Sequence, residues 1–334
     1  MAEVITQKII YKPVEDDLQA VIAEISAIAD KTPENALEQA ESLEAQLGHI
    51  LATPGKRIRP ALTLLASRLW GHHSSKLQVR MATAVELLHI ATLVHDDTVD
   101  HADTRRGHQT ASNLWGRNVA VLLGDFLFAT SAMYVCDTNN IRLVRRFAET
   151  ITELAQGELD EIYTAWQTGI TLELYKQRIN NKTVSLFCTA AESGAVLGEC
   201  DEKSARDVRN YGYSIGMAYQ VYDDLLDYRA TSEQLGKPAG NDLSSGIMTL
   251  PAIIAAENGA EDEIFKFFNS PEEAKADLLP KTIEAINRTG ALQKTHDVAN
   301  NYIQAAMKSL DHIPPSKYLD SMMYLAEYVQ KRKY

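Results

Sequence analysis

The sequence predicts an all-α fold, and three observations support this. The 334-residue chain has no proline between Pro60 and Pro238, and proline is the residue that most often breaks a helix. Through most of that stretch the apolar residues recur with helical spacing, punctuated by glycines. No segment alternates apolar and polar residues for long enough to predict a strand. We therefore expect one large helical bundle whose central members are buried, in a single domain covering residues 1 to 334.

The individual helices follow from the same spacing. An amphipathic helix is expected around residues 18–28, and a second one, which Pro33 could start, continues to Leu51. A basic turn from Pro54 to Pro60 leads into a helix at residues 61–70. Five central helices are predicted at residues 77–100, 118–136, 141–166, 172–197 and 203–228. After a loop at residues 229–249, shorter helices are expected, with breaks at Pro271, Pro280 and the pair Pro314 and Pro315.

Composition excludes several classes of protein. A net charge of −12 argues against nucleic acid as the main partner. The three cysteines, Cys136, Cys188 and Cys200, lack metal-ligand spacing and are expected to be reduced core residues of a cytoplasmic protein. The first residues lack the features of a signal peptide. No run reaches the roughly 18 uninterrupted apolar residues of a membrane span, so we expect no transmembrane segment.

Two copies of one acidic motif carry the chemistry. In the first, Asp96 and Asp100 are four residues apart and share a helix face, with Asp97 turned aside. The second places Asp223 and Asp227 at the same spacing, again at the end of an apolar helix. Carboxylates held this close repel each other unless a shared cation offsets their charge. Oxygen ligands of this kind suit Mg²⁺, which binds one or two carboxylates together with substrate phosphates.

Cationic side chains from four separate segments accompany the aspartates. They are Lys56, Arg59, Arg105, Arg106, Lys182 and Lys237. Together with the acidic motifs they indicate a site for two diphosphate groups. The sequence has no Gly-rich phosphate loop, no nucleophile elbow and no zinc-binding histidine spacing. This favours diphosphate as a leaving group, with cations stabilising its developing charge and an apolar pocket protecting a carbocation from water.

These residues resemble the trans-isoprenyl (all-E polyprenyl) diphosphate synthases over nearly the whole chain. The resemblance rests on GKRIRP at 55–60, LLHIATLVHDDTVD at 87–100, RRG at 105–107, GD at 124–125, KT at 182–183, YQVYDDLLD at 219–227 and GKPAGNDLSSGIMTLP at 236–251. It implies the isoprenoid synthase bundle with a central catalytic cavity. It also implies condensation of isopentenyl diphosphate with an allylic diphosphate, a homodimer, and membrane contact limited to product release.

The resemblance also assigns roles. Asp96, Asp100 and Asp223 would ligate three Mg²⁺ ions, supported by Asp97 and Asp227. Arg105, Lys182, Thr183, Gln220 and Lys237 would contact the allylic substrate, with Thr183 and Gln220 stabilising the cation. Lys56, Arg59, His89 and Arg106 would hold isopentenyl diphosphate. Two positions depart from the pattern: Pro54 replaces a glycine, and Ile247 stands where short-chain members carry a second lysine. The second departure favours the long-chain branch.

Product length is predicted from residues that precede the first aspartate motif. Ala91 and Thr92 lie about one helical turn deeper, roughly 5 to 8 Å at about 1.5 Å per residue. Because both are small, the growing chain can pass them. The floor of its channel is then expected at Leu88, Met133, Tyr134 or Phe147. We expect a long product, of seven to ten isoprene units by resemblance, of the kind used for quinone side chains.

Other functions remain open at this stage. Within the family, a geranylgeranyl product is the main alternative. The chain could be the catalytic half of a two-component synthase, inactive alone. A non-catalytic regulatory subunit is less consistent, since such relatives typically lose the second motif. A class I terpene cyclase would carry a different second metal motif from that at Asp223 to Asp227.

Overall fold

The computed structural model describes residues 6–30, 42–53, 55–71, 76–229 and 240–331. Its first helices are α1 (Gln7–Tyr11), α2 (Glu15–Asp30), α3 (Leu43–Ala52) and α4 (Ile58–Ala66). The middle of the chain forms α5 (Lys76–Val99), α6 (Ala111–Trp115), α7 (Arg117–Cys136), α8 (Ile141–Thr164), α9 (Leu172–Ile179), α10 (Ser185–Leu197) and α11 (Glu202–Arg229). The last helices are α12 (Asn241–Ser244), α13 (Leu250–Ala255), α14 (Glu261–Phe268), α15 (Glu272–Arg288), α16 (Ala291–Ser309) and α17 (Lys317–Gln330). The all-α prediction is confirmed.

Helix α5 lies at the centre of the bundle. It packs along α7 and also contacts α2, α4 and α10, while α11 packs between α10 and α16. Since neighbours cover α5 on several sides, it is apolar on more than one face and buries most of its side chains. One apolar core runs from Ile10 near the N-terminus to Val329 in α17. Consequently the aspartates near the C-terminal ends of α5 and α11 are held in place by buried, well-packed helices.

The largest departure from the predicted helices lies between residues 172 and 197. The expected single helix is interrupted by a π-helical turn at Asn180–Val184, which separates α9 from α10. Such turns insert one extra residue per turn and often occur at functional sites. This one carries Lys182 and Thr183. The helical spacing of apolar residues continues on both sides, so the pattern did not reveal the interruption.

Three smaller expectations need correction. A two-residue antiparallel ribbon, Thr104–Arg105 with His108–Gln109, follows α5, and it was too short to be predicted. Pro280 lies inside α15 instead of ending a helix. It is exposed, so water can satisfy the carbonyl that its missing N–H leaves free. Cys136 is exposed and is not a core residue, whereas Cys188 is buried. Residues 31–41, where Pro33 was to start the second helix, lie outside the described ranges.

Two helices are long and apolar enough to cross a membrane by length and composition, namely α5 and α7. Of the most apolar part of α5, 72% is buried inside the bundle, as expected for a core helix. The corresponding part of α7 is only 39% buried. Helix α7 therefore leaves an apolar surface open on this chain, formed with the start of α8. We define this apolar face by Val121, Leu122, Met133 and Ile141, which are 42%, 67%, 67% and 82% exposed.

Candidate active site

The first acidic motif points its carboxylates in different directions at the end of α5. Asp97 is buried and accepts a hydrogen bond from Arg105 Nε at 2.7 Å. The short ribbon returns the chain towards α5 after a turn in which Arg106 has the left-handed φ of 52°. Asp100 is exposed. The ribbon thus brings Arg105 back onto the helix end that precedes it in sequence.

Asp96 faces a second source of negative charge. The pKa of its carboxyl is raised to about 8, first by burial and then by Glu158 on α8, although Lys182 and Arg105 act in the opposite direction. The pKa of Glu158 is also raised, again mainly by burial. These two carboxyls therefore lack sufficient positive charge around them. A bound cation would stabilise their ionised forms.

Lys182 supplies the one cation that reaches this cluster from the π-helical turn. Its Nζ lies 3.0 Å from Glu158 and 2.5 Å from Glu161. Burial alone would lower the pKa of Lys182, but the two glutamates raise it overall. The close approach depends on Gly157, because a Cβ there would overlap the backbone of Lys182. Lys182 is thus held charged beside the aspartates.

The aspartates of the second acidic motif, on α11, have different surroundings. Asp227 accepts hydrogen bonds from the backbone N–H groups of Asn241 and Asp242, both at 3.1 Å, and so caps α12. Asp223 is partly exposed. The pKa of Asp242 is raised well above its ordinary range, first by burial and then by Asp227 and Asp224. Asp242 was not selected as a site residue from the sequence, although it lies within the quoted motif at 236–251.

A cavity of about 680 Å³ opens between these elements. We call it the acidic cavity; its wall includes Asp97, Asp100, Glu161, Asp224 and Asp242. Arg105, Arg106, Lys182, Thr183, Gln220 and Ile247 also line it. Ile247 therefore occupies the wall at the position where a second lysine was expected in short-chain relatives. Asp96, Asp223 and Asp227 are not among its lining residues, although Asp96 and Asp223 directly precede two that are, Asp97 and Asp224.

A second cavity, of about 550 Å³, adjoins the first. We call it the basic cavity; it is lined by Lys56, Arg57, Arg59, His89 and Arg106. All four residues assigned to isopentenyl diphosphate by resemblance are among them. Asp97, Arg105 and Arg106 line both cavities. The ion pair between Asp97 and Arg105 therefore forms part of the boundary that the two cavities share.

The basic cavity contains a guanidinium prepared for an anion. Arg59 stacks over the Phe187 ring at 4.4 Å, and its buried Nε has no hydrogen-bond partner in the described part of the chain. Burial lowers the pKa of Arg59. The pKa of His89 is well below its usual value, first because the side chain is buried and then because Arg59 and Arg106 are close by. This imidazole is therefore neutral near pH 7. A diphosphate would satisfy the donor that Arg59 leaves unpaired.

Besides Asp97, the basic cavity contains a second carboxylate, which sequence reasoning did not identify. Glu86, buried on α5 one turn before His89, lies 2.5 Å from Arg57 Nη1. The backbone carbonyl of Lys56 is held by the Tyr11 hydroxyl at 2.6 Å. The basic turn is therefore fixed from both sides. A charged residue inside an otherwise apolar helix pattern was the signal available for Glu86.

The acidic cavity fits a divalent ion in its choice of ligand atoms. Carboxylate oxygens are hard donors, and Mg²⁺ is usually held by one or two of them plus substrate phosphates and water. In the described ranges, no three His, Cys, Asp or Glu side chains already converge on one point as metal ligands. Substrate oxygens would therefore be part of the metal site.

Several predicted residues lie away from these cavities. Lys237 is outside the described ranges, as are Pro54 and Pro238. Ala91 is fully buried and Thr92 partly buried, and neither lines either of the two cavities. Leu88, Tyr134 and Phe147 are buried, as a channel floor requires. Met133 is 67% exposed, so it is not an interior residue of this chain, and that candidate for the floor is wrong.

The fold and the motifs agree with known proteins. The polyprenyl synthase of Caulobacter crescentus, solved in complex with calcium and isoprenyl diphosphate, has a TM-score of 0.88 at 31% identity and covers 99% of both chains. The heptaprenyl diphosphate synthase component 2 of Geobacillus stearothermophilus is 35% identical, over 98% of this chain and 99% of its own. The octaprenyl diphosphate synthase of Escherichia coli is 34% identical, over 89% of this chain and 93% of its own. The fold is that of an isoprenyl diphosphate synthase.

A family model described as Polyprenyl synthetase matches residues 40–286. The chain therefore belongs to the polyprenyl synthetase family and is a prenyltransferase. Members of this family use divalent metal to bind diphosphate. The resemblance noted from the motifs is confirmed.

Proposed function

We propose that this chain is a trans-polyprenyl diphosphate synthase that condenses isopentenyl diphosphate with an allylic diphosphate. The observation that carries the proposal is the contact between two cavities of opposite charge at the Asp97 and Arg105 pair, 2.7 Å apart. One cavity offers carboxylates for metal and the other offers guanidinium groups directly. Two diphosphates held side by side, one of them through metal, are the substrates that this arrangement fits.

The carboxylates would hold Mg²⁺, with three ions expected when diphosphate is bound. The residues in that role are Asp96, Asp97, Asp100, Asp223 and Asp227. Bound Mg²⁺ would supply positive charge to the leaving diphosphate. The raised pKa of Asp96, about 8, supports this assignment, because its cause is burial next to Glu158 without sufficient positive charge.

The chain's own residues then have distinct tasks. Lys182 and Arg105, with Lys237, bind the allylic diphosphate, and the C–O bond breaks with its electron pair going to that group. The oxygens of Thr183 and Gln220 face the carbocation. The basic cavity holds isopentenyl diphosphate so that its double bond attacks the cation and forms the new C–C bond. A proton then leaves, most simply to the departing diphosphate.

A long product is the favoured outcome. The relatives named above as heptaprenyl and octaprenyl diphosphate synthases are 35% and 34% identical. Ala91 and Thr92 add no bulk one turn below the first aspartates, and Ile247 provides no second lysine in the acidic cavity. We therefore propose a product of seven to ten isoprene units, serving quinone side chains. Geranylgeranyl diphosphate is the alternative product.

The assembly that we propose is a cytoplasmic homodimer formed through the apolar face of α7 and α8. Leu122, Met133 and Ile141 are at least two-thirds exposed there, which is costly for side chains of this size in water. One relative is named as component 2 of its synthase. A two-subunit enzyme, in which a different chain covers this face, is therefore the second candidate. Product release would involve membrane contact without a spanning segment.

The test is to incubate the purified chain with Mg²⁺, farnesyl diphosphate and labelled isopentenyl diphosphate, and to separate the products by length. We expect a ladder ending at 35 carbons or more. A ladder that stops at 20 carbons would retain the enzyme class and overturn the long-chain assignment. Absence of product from a folded chain that still binds Mg²⁺ and diphosphate would favour the two-subunit enzyme. Ultracentrifugation of the same sample would test the homodimer.

A further inference from the structure

Asp224 belongs to the second acidic motif, but its carboxylate is engaged by hydrogen bonds from neighbouring side chains. It is 1% exposed, and both of its carboxylate oxygens accept hydrogen bonds from protein. Oδ1 accepts from Gln220 Nε2 at 3.0 Å, one helical turn earlier on α11. Oδ2 accepts from the Tyr175 hydroxyl at 2.7 Å. Tyr175, on α9, is itself 1% exposed.

The same chain of hydrogen bonds continues towards the reacting groups. The Thr183 hydroxyl donates to Gln220 Oε1 at 3.0 Å. Tyr175, Asp224, Gln220 and Thr183 therefore link α9, α11 and the π-helical turn in one series. All four residues line the acidic cavity; Thr183 and Gln220 are partly exposed, whereas Tyr175 and Asp224 are each 1% exposed.

The orientation of the Gln220 amide follows from this series. The two ends of a carboxamide are nearly equal in shape, so packing alone does not select which end faces the cavity. A carboxylate can only accept hydrogen bonds, so Gln220 must present its NH₂ group to Asp224. Its carbonyl oxygen then turns towards Thr183. Because Thr183 donates its proton to one lone pair of that oxygen, the second lone pair of Gln220 Oε1 and those of the Thr183 hydroxyl are left to stabilise a cation.

We propose that Asp224 is a positioning residue that fixes the Gln220 amide with its oxygen towards the developing carbocation, and that Tyr175 anchors Asp224 in turn. The inference rests on the proposed function, which assigns the cation to this cavity. A reversed amide would direct the positive end of its dipole at the cation and slow ionisation. Binding of isopentenyl diphosphate in the basic cavity would not change.

The decisive variant is Asp224→Asn, which keeps the size of the side chain. Its new NH₂ group can donate to Gln220 Oε1 and so permits the reversed amide. We expect kcat for the first condensation with farnesyl diphosphate to fall by about 10- to 100-fold, less than the roughly 10²- to 10³-fold cost of deleting a preorganised dipole outright. KM for isopentenyl diphosphate and the Mg²⁺ concentration at half-maximal rate should each stay within about twofold of the parent, because Asp224 is assigned to neither isopentenyl diphosphate nor Mg²⁺.

A double-mutant cycle separates positioning from a general structural role. In a Gln220→Leu background there is no amide to orient, so adding Asp224→Asn should change kcat by less than about twofold. Tyr175→Phe keeps the ring and removes the donor to Asp224. It should show a smaller fall, of about three- to tenfold, that also disappears in the Gln220→Leu background. This second variant carries the test if Asp224→Asn unfolds, as judged by thermal melting.

The outcomes are distinguishable from failure of the proposed function. An equal fall in kcat in both backgrounds would overturn the inference, because Asp224 would then act independently of Gln220. A large change in Mg²⁺ dependence would also overturn it and make Asp224 a metal ligand. An active parent enzyme with no change in Asp224→Asn would overturn the inference alone. A parent chain without any condensation activity would overturn the proposed function and this inference together.

Discussion

The two cavities use opposite chemistry at the two sides of one helix end. Five carboxylates and four cationic side chains line the acidic cavity, and the pKa values of Asp242 in its wall and of Asp96, which precedes Asp97 in that wall, are raised. In the basic cavity guanidinium groups exceed carboxylates, and burial lowers the pKa values of Arg59 and His89. Each cavity is thus short of the opposite charge. The difference indicates that an anion enters the basic cavity directly, whereas the acidic cavity requires cations before it can accept one.

This asymmetry also separates the chemistry of the two substrates. The leaving diphosphate needs charge stabilisation that grows as its bond breaks, which a metal supplies well. The diphosphate of the nucleophilic substrate is unchanged in the reaction and needs only to be held. Fixed arginine side chains suffice for that purpose.

The largest effect is expected from removing a carboxylate of either acidic motif. Asp96→Ala and Asp223→Ala should each lower kcat by at least about a thousandfold, because the charge on the leaving group would lose its main stabilisation. The fold should stay near intact, since deleting a carboxylate from a crowded cluster relieves repulsion. Steady-state assays with farnesyl diphosphate and circular dichroism melting would measure both quantities.

Asp277→Ala, an exposed position on α15, is the matched control and should leave both quantities unchanged. Unfolding of the two active-site variants, in place of inactivity, would contradict the metal-site assignment. If the rate recovered fully at high Mg²⁺ concentration, the lost carboxylate would contribute only to the affinity for Mg²⁺.

A change in the basic cavity should have a smaller and different effect. Arg59→Met keeps an aliphatic stem against Phe187 and removes the unpaired donor. KM for isopentenyl diphosphate should rise by about 10- to 100-fold, corresponding to roughly 1.5 to 3 kcal/mol for a charged hydrogen bond. The Mg²⁺ dependence should not move. If KM for the allylic substrate rose equally, the two cavities would not divide the substrates as proposed.

The sequence predicted the helical framework because the cause is local. Apolar residues at helical spacing place α5, α7 and α11 to within a residue or two of their observed ends. The π-helical turn at Asn180–Val184 was missed, since one inserted residue barely disturbs that spacing. The ribbon at Thr104–Arg105 was missed because two residues per strand give no pattern.

The sequence predicted the cationic residues of the basic cavity but not the carboxylate that neutralises part of their charge. The resemblance placed Lys56, Arg59, His89 and Arg106 in one site, and they do line one cavity. Glu86 was missed because its role depends on Arg57, 29 residues away in the chain and 2.5 Å away in space. Met133 was assigned to the interior because helical spacing identifies an apolar face without saying what covers it. Its 67% exposure is a fact of tertiary structure.

Product length tests the path of the hydrocarbon tail of the growing product, which lies away from the charged groups of both cavities. Ala91→Phe should shorten the longest product, because the ring would block the path one turn below Asp96. It should also cost about 1 to 3 kcal/mol of stability, since Ala91 is fully buried. Thr92→Phe, at a partly exposed position, should shorten the product with a smaller loss. Ala23→Phe, at an exposed position on α2, is the control and should leave the products unchanged. If Ala91→Phe and Thr92→Phe also left the product ladder unchanged, the growing prenyl chain would have to follow a different path.

The smallest predicted effect is a difference in how stability depends on pH in the metal-free protein. The folded pKa of Asp96, about 8, exceeds its ordinary value of 3.8. Between these values the folded state binds more protons than the unfolded state, so the stability from Asp96 is lost as pH rises. His89 has the opposite sign. Its folded pKa lies below 6.5, so its contribution is present above pH 6.5 and is lost as pH falls.

Urea unfolding in EDTA between pH 5 and 8 would separate the two contributions. Asp96→Asn should lose less stability than the parent as pH rises through this range, because it lacks the carboxyl that ionises. His89→Gln should lose less stability than the parent as pH falls, because it lacks the imidazole that must stay neutral. Asp277→Asn should follow the parent. Curves for Asp96→Asn that run parallel to the parent would mean that its carboxyl is already ionised without metal, and the contrast between the cavities would then lose its electrostatic basis.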